Sequence, residues 1–274
     1  MTRSTRRTRM LKSGVAAAAA LLALSACSSS SSGDSSSAGS GTSESAAPKL
    51  SGTVTVFAAA SLKESFTTLG KQFEQQHPGT KVTFNFGGSD SLAASITSGA
   101  PADVFAAAST KTMAIVTDKK DAAGTPVTFV RNQLEIATAP GNPDKISSLK
   151  DLTGAGLKVV LCDKTVPCGA AAQKVLDASH LKLTPVSYEQ DVKSALTKVE
   201  LKEADAALVY KTDVKAAAGR VQGVEFPESA EAVNDYPITL LKNAPNATAA
   251  KAFVELVTSA EGQKVLTGAG FLKP

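Results

Sequence analysis

The stretch Thr53-Val-Thr-Val-Phe-Ala-Ala-Ala-Ser-Leu-Lys-Glu64 changes its character half-way along. Residues 53–57 are β-branched and aromatic and read as a buried strand. From Leu62 onward the apolar positions fall at Leu62, Phe66, Leu69 and Phe73. That is i, i+4, i+7, i+11, so residues 61–76 read as an amphipathic helix. A strand that runs through a small-residue loop into a helix is the building unit of an α/β layer. The same pattern recurs down the chain. Strands are expected at 81–86, 103–107, 134–138, 157–161, 206–210 and 236–241, and helices at 92–97, 110–119, 170–179, 192–202, 248–258 and 261–267. The alternation predicts an α/β fold with mainly parallel sheets.

The N-terminal part has a different composition. Arg3, Arg6, Arg7, Arg9 and Lys12 form a basic head, and residues 15–24 form an apolar run. The run is shorter than the roughly 20 residues a spanning helix needs, and it reads as a secretory signal peptide over residues 1–26. It ends in Leu24-Ser25-Ala26-Cys27, small residues before a cysteine, which resembles a bacterial lipobox. Cys27 is therefore the expected lipidation site and new N-terminus. Residues 27–49 are dominated by Ser, Gly, Ala and Thr and bury too little apolar surface to fold. They read as a flexible tether with a reach of roughly 25 Å. The expected location is extracytoplasmic, at the cell membrane through the lipid anchor.

Charge is best counted without the signal. The chain holds 29 basic and 25 acidic residues, and five of the basic and none of the acidic ones lie in residues 1–26, which leaves the remainder at −1. No basic field remains to argue for a nucleic-acid partner. Cys162 and Cys168 form an even pair in an oxidising compartment and read as a disulfide closing a short loop. Zinc does not suit them, because no His or second Cys pair lies nearby in sequence.

Ligands of open α/β sheets bind beyond the carboxyl ends of the strands, where loops enter helices. Helix starts there carry unpaired N–H groups and partial positive charge, which suits an anion. Four junctions qualify. At the first, Ser61 begins a helix; its spacing to Glu64 also fits a capping box, so a capping role and an anion-binding role are both open. At the second, Phe84-Asn-Phe-Gly-Gly-Ser-Asp-Ser-Leu92, Gly87 and Gly88 allow close backbone approach and either Ser89 or Ser91 can donate a hydroxyl. At the third, Pro167 suits a helix start and exposes the amides of Cys168 and Gly169. At the fourth, Val192 lies in a first helical turn. Tyr210 ends an apolar strand and can pass its hydroxyl into a cleft.

In order and spacing, the set resembles the molybdate-binding proteins of bacterial ABC importers. The motifs are F-A-A-A-S-L at 57–62, F-G-G-S-x-x-L at 86–92, G-A-P-A-D-V-F at 99–105, V-P-C-G at 166–169, D-V-x-x-A-L at 191–196 and V-Y-K-T-D at 209–213. The resemblance covers nearly all of residues 52–274. It implies a two-lobed, type II clamshell, with one lobe at 50–131 plus 235–274 and the other at 132–234. It also implies molybdate-binding residues: Ser61 and Ser89 by hydroxyl and amide, Cys168 and Val192 by amide, and Tyr210 by hydroxyl. Phe86 and Leu92, as flanking anchors, favour Ser89 over Ser91. Two departures stand out. Many relatives carry a small residue such as Ala in place of Cys168, and the loop at 163–166 is slightly short.

The expected partners are molybdate or tungstate, an ABC permease and the membrane; the chain is expected to be a monomer with no cofactor, and molybdenum enters only as its oxyanion. Sulfate or phosphate is the alternative ligand. Chelated iron would want clustered Tyr or carboxylates, and the motifs supply donors instead. An enzyme is not expected: a Ser–His–acid hydrolase has only His77 and His180 to draw on, neither in a motif, and no G-x-S-x-G elbow occurs. Lys63, Lys164, Lys193 and Lys211 could steer anions at long range, but read first as ordinary solvated surface residues.

Overall fold

The computed structural model describes residues 49–274. The signal peptide, Cys27 and nearly all of the tether lie outside the described residues. Two five-stranded sheets with flanking helices make up the body. The first begins with β1 (Gly52–Ala59), β2 (Thr80–Gly87) and β3 (Val104–Ala106), with α1 (Lys63–Gln76), α2 (Ser89–Thr97) and α3 (Thr110–Asp118) in the connections. The chain then runs through β4 (Val127–Asn132) and crosses at Gln133 into β5 (Leu134–Thr138) of the second sheet. There follow β6 (Val159–Cys162), α4 (Pro167–Ala178), β7 (Ser187–Glu189), α5 (Val192–Glu200), β8 (Ala206–Tyr210), α6 (Lys211–Ala216) and β9 (Gln222–Val224). The return leads into β10 (Asn234–Leu240), and α7 (Ala247–Thr258) and α8 (Ala260–Gly268) finish the first lobe.

The strand orders are β2-β1-β3-β10-β4 and β7-β6-β8-β5-β9. In each sheet four strands run in one direction and one, β10 in the first and β5 in the second, runs against them. The expectation of mainly parallel sheets holds for strand direction, but one reversed strand makes each sheet mixed. The reason is the crossing. A parallel neighbour needs a long crossover, usually a helix. The strands β10 and β5 arrive from the opposite lobe without one and lie antiparallel beside β3 and β8. Two alternating lobes joined by two crossings make the type II clamshell.

The periodic face of α1 is buried at Phe66, Leu69 and Phe73. The Phe66 ring meets those of Phe129 and Phe253 at centroid distances of 5.8 and 6.1 Å, and Phe73 meets Phe253 at 5.6 Å. The D-V-F part of the third motif has a structural task. Buried Asp103 accepts the amide of Thr55 at 2.7 Å and that of Asn246 at 2.6 Å, pinning β1 to the start of α7. The elements β7 and β9 were not expected, and each is a three-residue edge strand too short to show a period. The strand β4 and the helix α6, whose six residues follow the Tyr210 strand without a break, are likewise additions to the expected set.

One buried carboxylate interrupts the second core. Glu135 on β5 lies against Gly223 of β9. Burial pushes its carboxyl from an ordinary 4.5 up to about 6; Glu225 adds to the rise and Lys211 opposes it. The folded chain thus holds more proton than the unfolded chain between those values, and stability falls as pH rises through that window. Glu135→Gln is expected to raise stability by about 1–2 kcal/mol above pH 6 and to change it little below about pH 4.5. Urea denaturation at pH 4 and pH 8 checks this; equal gains at both would show that Glu135 does not titrate in this range.

Candidate functional site

Between the lobes lies a small cavity lined by Ala59, Ala60, Ser61, Gly87, Gly88, Ser89, Ala108, Val166, Pro167, Cys168, Asp191, Val192 and Tyr210. All five residues expected from the sequence therefore meet on one space, two from the first lobe and three from the second. The space it offers a water-sized guest is only about 20 Å³. Pockets for organic ligands start at about 300 Å³, so this one suits an inorganic ion better than a sugar or peptide.

Every wall is the start of a helix. The chain leaves β1 through a 3-10 turn, Ala60–Leu62, with no side-chain cap. The helix α2 starts at Ser89 behind Gly88, again without a side-chain cap, and earlier than the sequence suggested. The start of α4 is Pro167, also earlier than expected. Proline brings no N–H, and with no capping side chain the amides of Cys168 and Gly169 are left free by the helix itself. At α5 the cap is informative. Asp191 Oδ1 accepts the amides of Lys193 at 2.8 Å and Ser194 at 3.0 Å, and Oδ2 accepts the Ser194 hydroxyl. The cap takes the second and third amides of the helix and leaves the first, that of Val192, for the cavity. It also occupies the Asp191 carboxylate, so that group is not presented to a guest as an acceptor.

The hydroxyls are oriented from behind. Ser89 Oγ accepts the Ala108 amide at 3.0 Å, which leaves the Ser89 proton to donate. Ser91 Oγ instead donates to the Gly88 carbonyl at 2.9 Å, and Ser91 does not line the cavity. Tyr210 Oη accepts from Asn234 Nδ2 at 2.7 Å, so Asn234 does not take up its proton. Ser61 Oγ lies 2.9 Å from Tyr236 Oη, and Tyr236 Oη receives Asn132 Nδ2 at 3.4 Å. A buried hydroxyl proton needs an acceptor, and Asn132 Nδ2 can only donate. Ser61 Oγ can serve as that acceptor, an arrangement in which Ser61 keeps its own proton to donate. Ser61 makes no side-chain cap to the helix and is held by Tyr236 instead. Burial lifts both tyrosine hydroxyls above their ordinary range, so both stay protonated donors.

Asn132, Asn234 and Tyr236 had no signal in the sequence reading. They lie at the two crossings, and a β-bulge at Tyr236 and Pro237 sets Tyr236 apart from the regular register. Pro237 suits a bulge because it cannot donate to the ladder. On the second lobe Cys162 and Cys168 are joined as a disulfide with Cα atoms 5.8 Å apart, tying the end of β6 to the first turn of α4. A side chain at Gly169 would collide with the Asp163 carbonyl, so the loop packs directly on that helix start.

Lys193 corrects another expectation. It is no free surface lysine: its Nζ lies 2.8 Å from Glu64 Oε2 and 2.9 Å from Asp213 Oδ1. Burial lowers its pKa, but the two carboxylates outweigh burial and raise it. Asp213 is wholly buried, and burial lifts its carboxyl to about 6 against the pull of Lys193. Among the described residues no three His, Cys, Asp or Glu side chains gather as a metal ion would require.

A family model described as bacterial extracellular solute-binding protein matches residues 54–272. The chain belongs to that family. Its relatives include the molybdate-binding protein ModA of Mycobacterium tuberculosis, 46% identical over 222 residues that cover 81% of this chain and 85% of the relative. Among solved structures, the periplasmic molybdate-binding protein of Azotobacter vinelandii superposes with a TM-score of 0.71 at 20% identity, over 81% of this chain and 99% of that one. The sulfate-binding protein SubI of M. tuberculosis superposes with a TM-score of 0.66 at 19% identity, over 80% and 86% of the two chains. At these identities the last two speak for the solute-binding fold alone.

Gly88 marks how closely the lobes of this binding protein approach. Its φ of −61° needs no glycine. An added Cβ, however, would lie 2.6 Å from the Gln190 carbonyl oxygen across the cleft. Gly88→Ala is expected to hinder closure and weaken oxyanion binding by about 1–3 kcal/mol, as overpacking does, with little change in the melting of the ligand-free protein. Titration calorimetry and thermal melting together check this; unchanged affinity would mean that the lobes do not need this approach.

Proposed function

We propose that this chain is the extracytoplasmic binding protein of an ABC importer and that it captures molybdate, with tungstate as a near-equivalent guest. The observation that supports the reading is the lining: uncharged groups able to donate, from both lobes, surround one small cavity. Ser61, Ser89 and Tyr210 supply hydroxyls, and the starts of four helices supply amides, those of Cys168 and Val192 among them. The 46%-identical ModA relative supports molybdate as the guest.

Each hydrogen bond to a charged acceptor contributes roughly 1.5–3 kcal/mol net. Several such bonds make a dissociation constant of about 10 nM, near −11 kcal/mol, attainable. A donor-only lining also selects. A phosphate that carries a proton brings an O–H for which the cavity has no acceptor, leaving polar groups unpaired. Sulfate has the right charge but shorter bonds and sits loosely. Tungstate is nearly the same size as molybdate, and nothing in the lining excludes it. Because donors come from both lobes, the bound anion stabilises the closed form, a hinge motion, and the closed form is what the permease would recognise. In this reading Cys27 carries the lipid that holds the protein at the membrane.

The test is titration calorimetry of the purified full chain against molybdate, tungstate, sulfate and phosphate. Tight binding of the first two is expected, with sulfate and phosphate weak at the same concentrations. A guest at about 1,000 times its dissociation constant stabilises the protein by about 4.1 kcal/mol, visible as a raised melting temperature. Tyr210→Phe removes one donor and is expected to cost about 1.5–3 kcal/mol of binding. A preference for sulfate, or no oxyanion binding, defeats the assignment; undiminished affinity in Tyr210→Phe removes that hydroxyl from the site.

A further inference from the structure

The Lys193 ammonium joins elements that no covalent neighbourhood joins. Glu64 belongs to α1 of the first lobe, and Lys193 and Asp213 belong to α5 and α6 of the second. The Lys193–Glu64 pair therefore spans the cleft, 129 residues apart in sequence. The pair has a fixed end and a free end. Asp213 is fully buried, so it needs the ammonium whether or not the lobes meet. Glu64 is about half exposed, and no bond within the second lobe depends on it.

The same group of residues touches the binding donors. Lys193 follows Val192, and its own amide is held by Asp191. Asp213 Oδ2 accepts the amide of Tyr210 at 3.3 Å. Across the cleft, Glu64 lies one turn beyond Ser61 at the start of α1. A bond between Glu64 and Lys193 thus draws a first-lobe donor and two second-lobe donors toward one another.

We propose that Lys193 is a positioning residue: anchored on Asp213, its ammonium clasps Glu64 across the cleft and holds the lobes shut on the bound anion. The inference rests on the reading of the cavity as an oxyanion site. It separates Lys193 from a steering role. With two carboxylates within 3 Å its charge is already matched, and the three groups together present no positive field to an approaching anion. A latch of this kind acts on release, whereas a steering charge acts on association and fades with salt.

The experiment is stopped-flow measurement of molybdate association and release in the full chain, with Glu64→Gln, Glu64→Lys, Lys193→Met and the double variant Glu64→Gln/Lys193→Met. Release from Glu64→Gln is expected to be about three- to tenfold faster, with association unchanged across salt concentrations. Glu64→Lys is expected to release faster still. In the Lys193→Met background, Glu64→Gln is expected to add nothing. The Glu64 variants alter an exposed side chain, so they decide the matter even if Lys193→Met, which leaves Asp213 unpaired, does not fold. Release from Glu64→Gln at the parent rate overturns the latch, as does an equal acceleration in the Lys193→Met background. A salt-dependent loss of association with unchanged release overturns it in favour of steering. If the parent protein binds no oxyanion, the site reading itself has failed, and the latch with it; if the parent binds tightly and Glu64→Gln is indistinguishable from it, only the latch has failed.

Discussion

The first amides of a helix have no partner inside it. Here four such starts face one space, and side-chain caps take only some of their N–H groups. Asp191 shows the economy of the arrangement, since it satisfies two amides of α5 and leaves the one that faces the cavity. The closed lobes consequently surround a space rich in donors and poor in acceptors. Such a space is costly to dehydrate unless something inside accepts. A small dianion with oxygen on every side meets that requirement without any buried positive side chain.

The donors do not orient themselves. Ser89 is fixed by the amide of Ala108, Tyr210 by Asn234, and Ser61 by Tyr236 with Asn132 behind it. Three of these supports stand where the chain passes between the sheets. The crossing segments therefore join the lobes and also support the site from behind. The buried tyrosines add a constraint of their own: burial keeps both hydroxyls protonated, so the direction of donation does not change over the physiological pH range.

The fold does not select the guest. A sulfate-binding protein shares the architecture at 19% identity with this chain. Selection must come from the depth and donor set of the cavity and from how far the lobes close. Gly88 sets that limit by letting the Gln190 carbonyl approach the backbone of α2. Within the second lobe, the disulfide and Gly169 hold the start of α4 against the end of β6 and so fix the position of its amides.

Much of this was legible in the residues. The period change at Thr53–Glu64 located a strand, a loop and a helix; the glycines at 87 and 88 located a close approach; and the Cys162–Cys168 pair located a constrained loop. These are local signals, written within a few residues of chain. The short edge strands β7 and β9 carried no such period, and the antiparallel placing of β5 and β10 depended on the crossings. The supports of the site lay further beyond reach. Ser61 meets Tyr236 across 175 residues, Asn132 meets Tyr236 across 104, and Glu64 meets Lys193 across 129. The sequence by itself determined which faces are buried and which loops can present donors, because side-chain period records burial locally. Only the tertiary structure decided which hydroxyl points where and which lysine is paired, because those depend on segments brought together by the two returns of the chain.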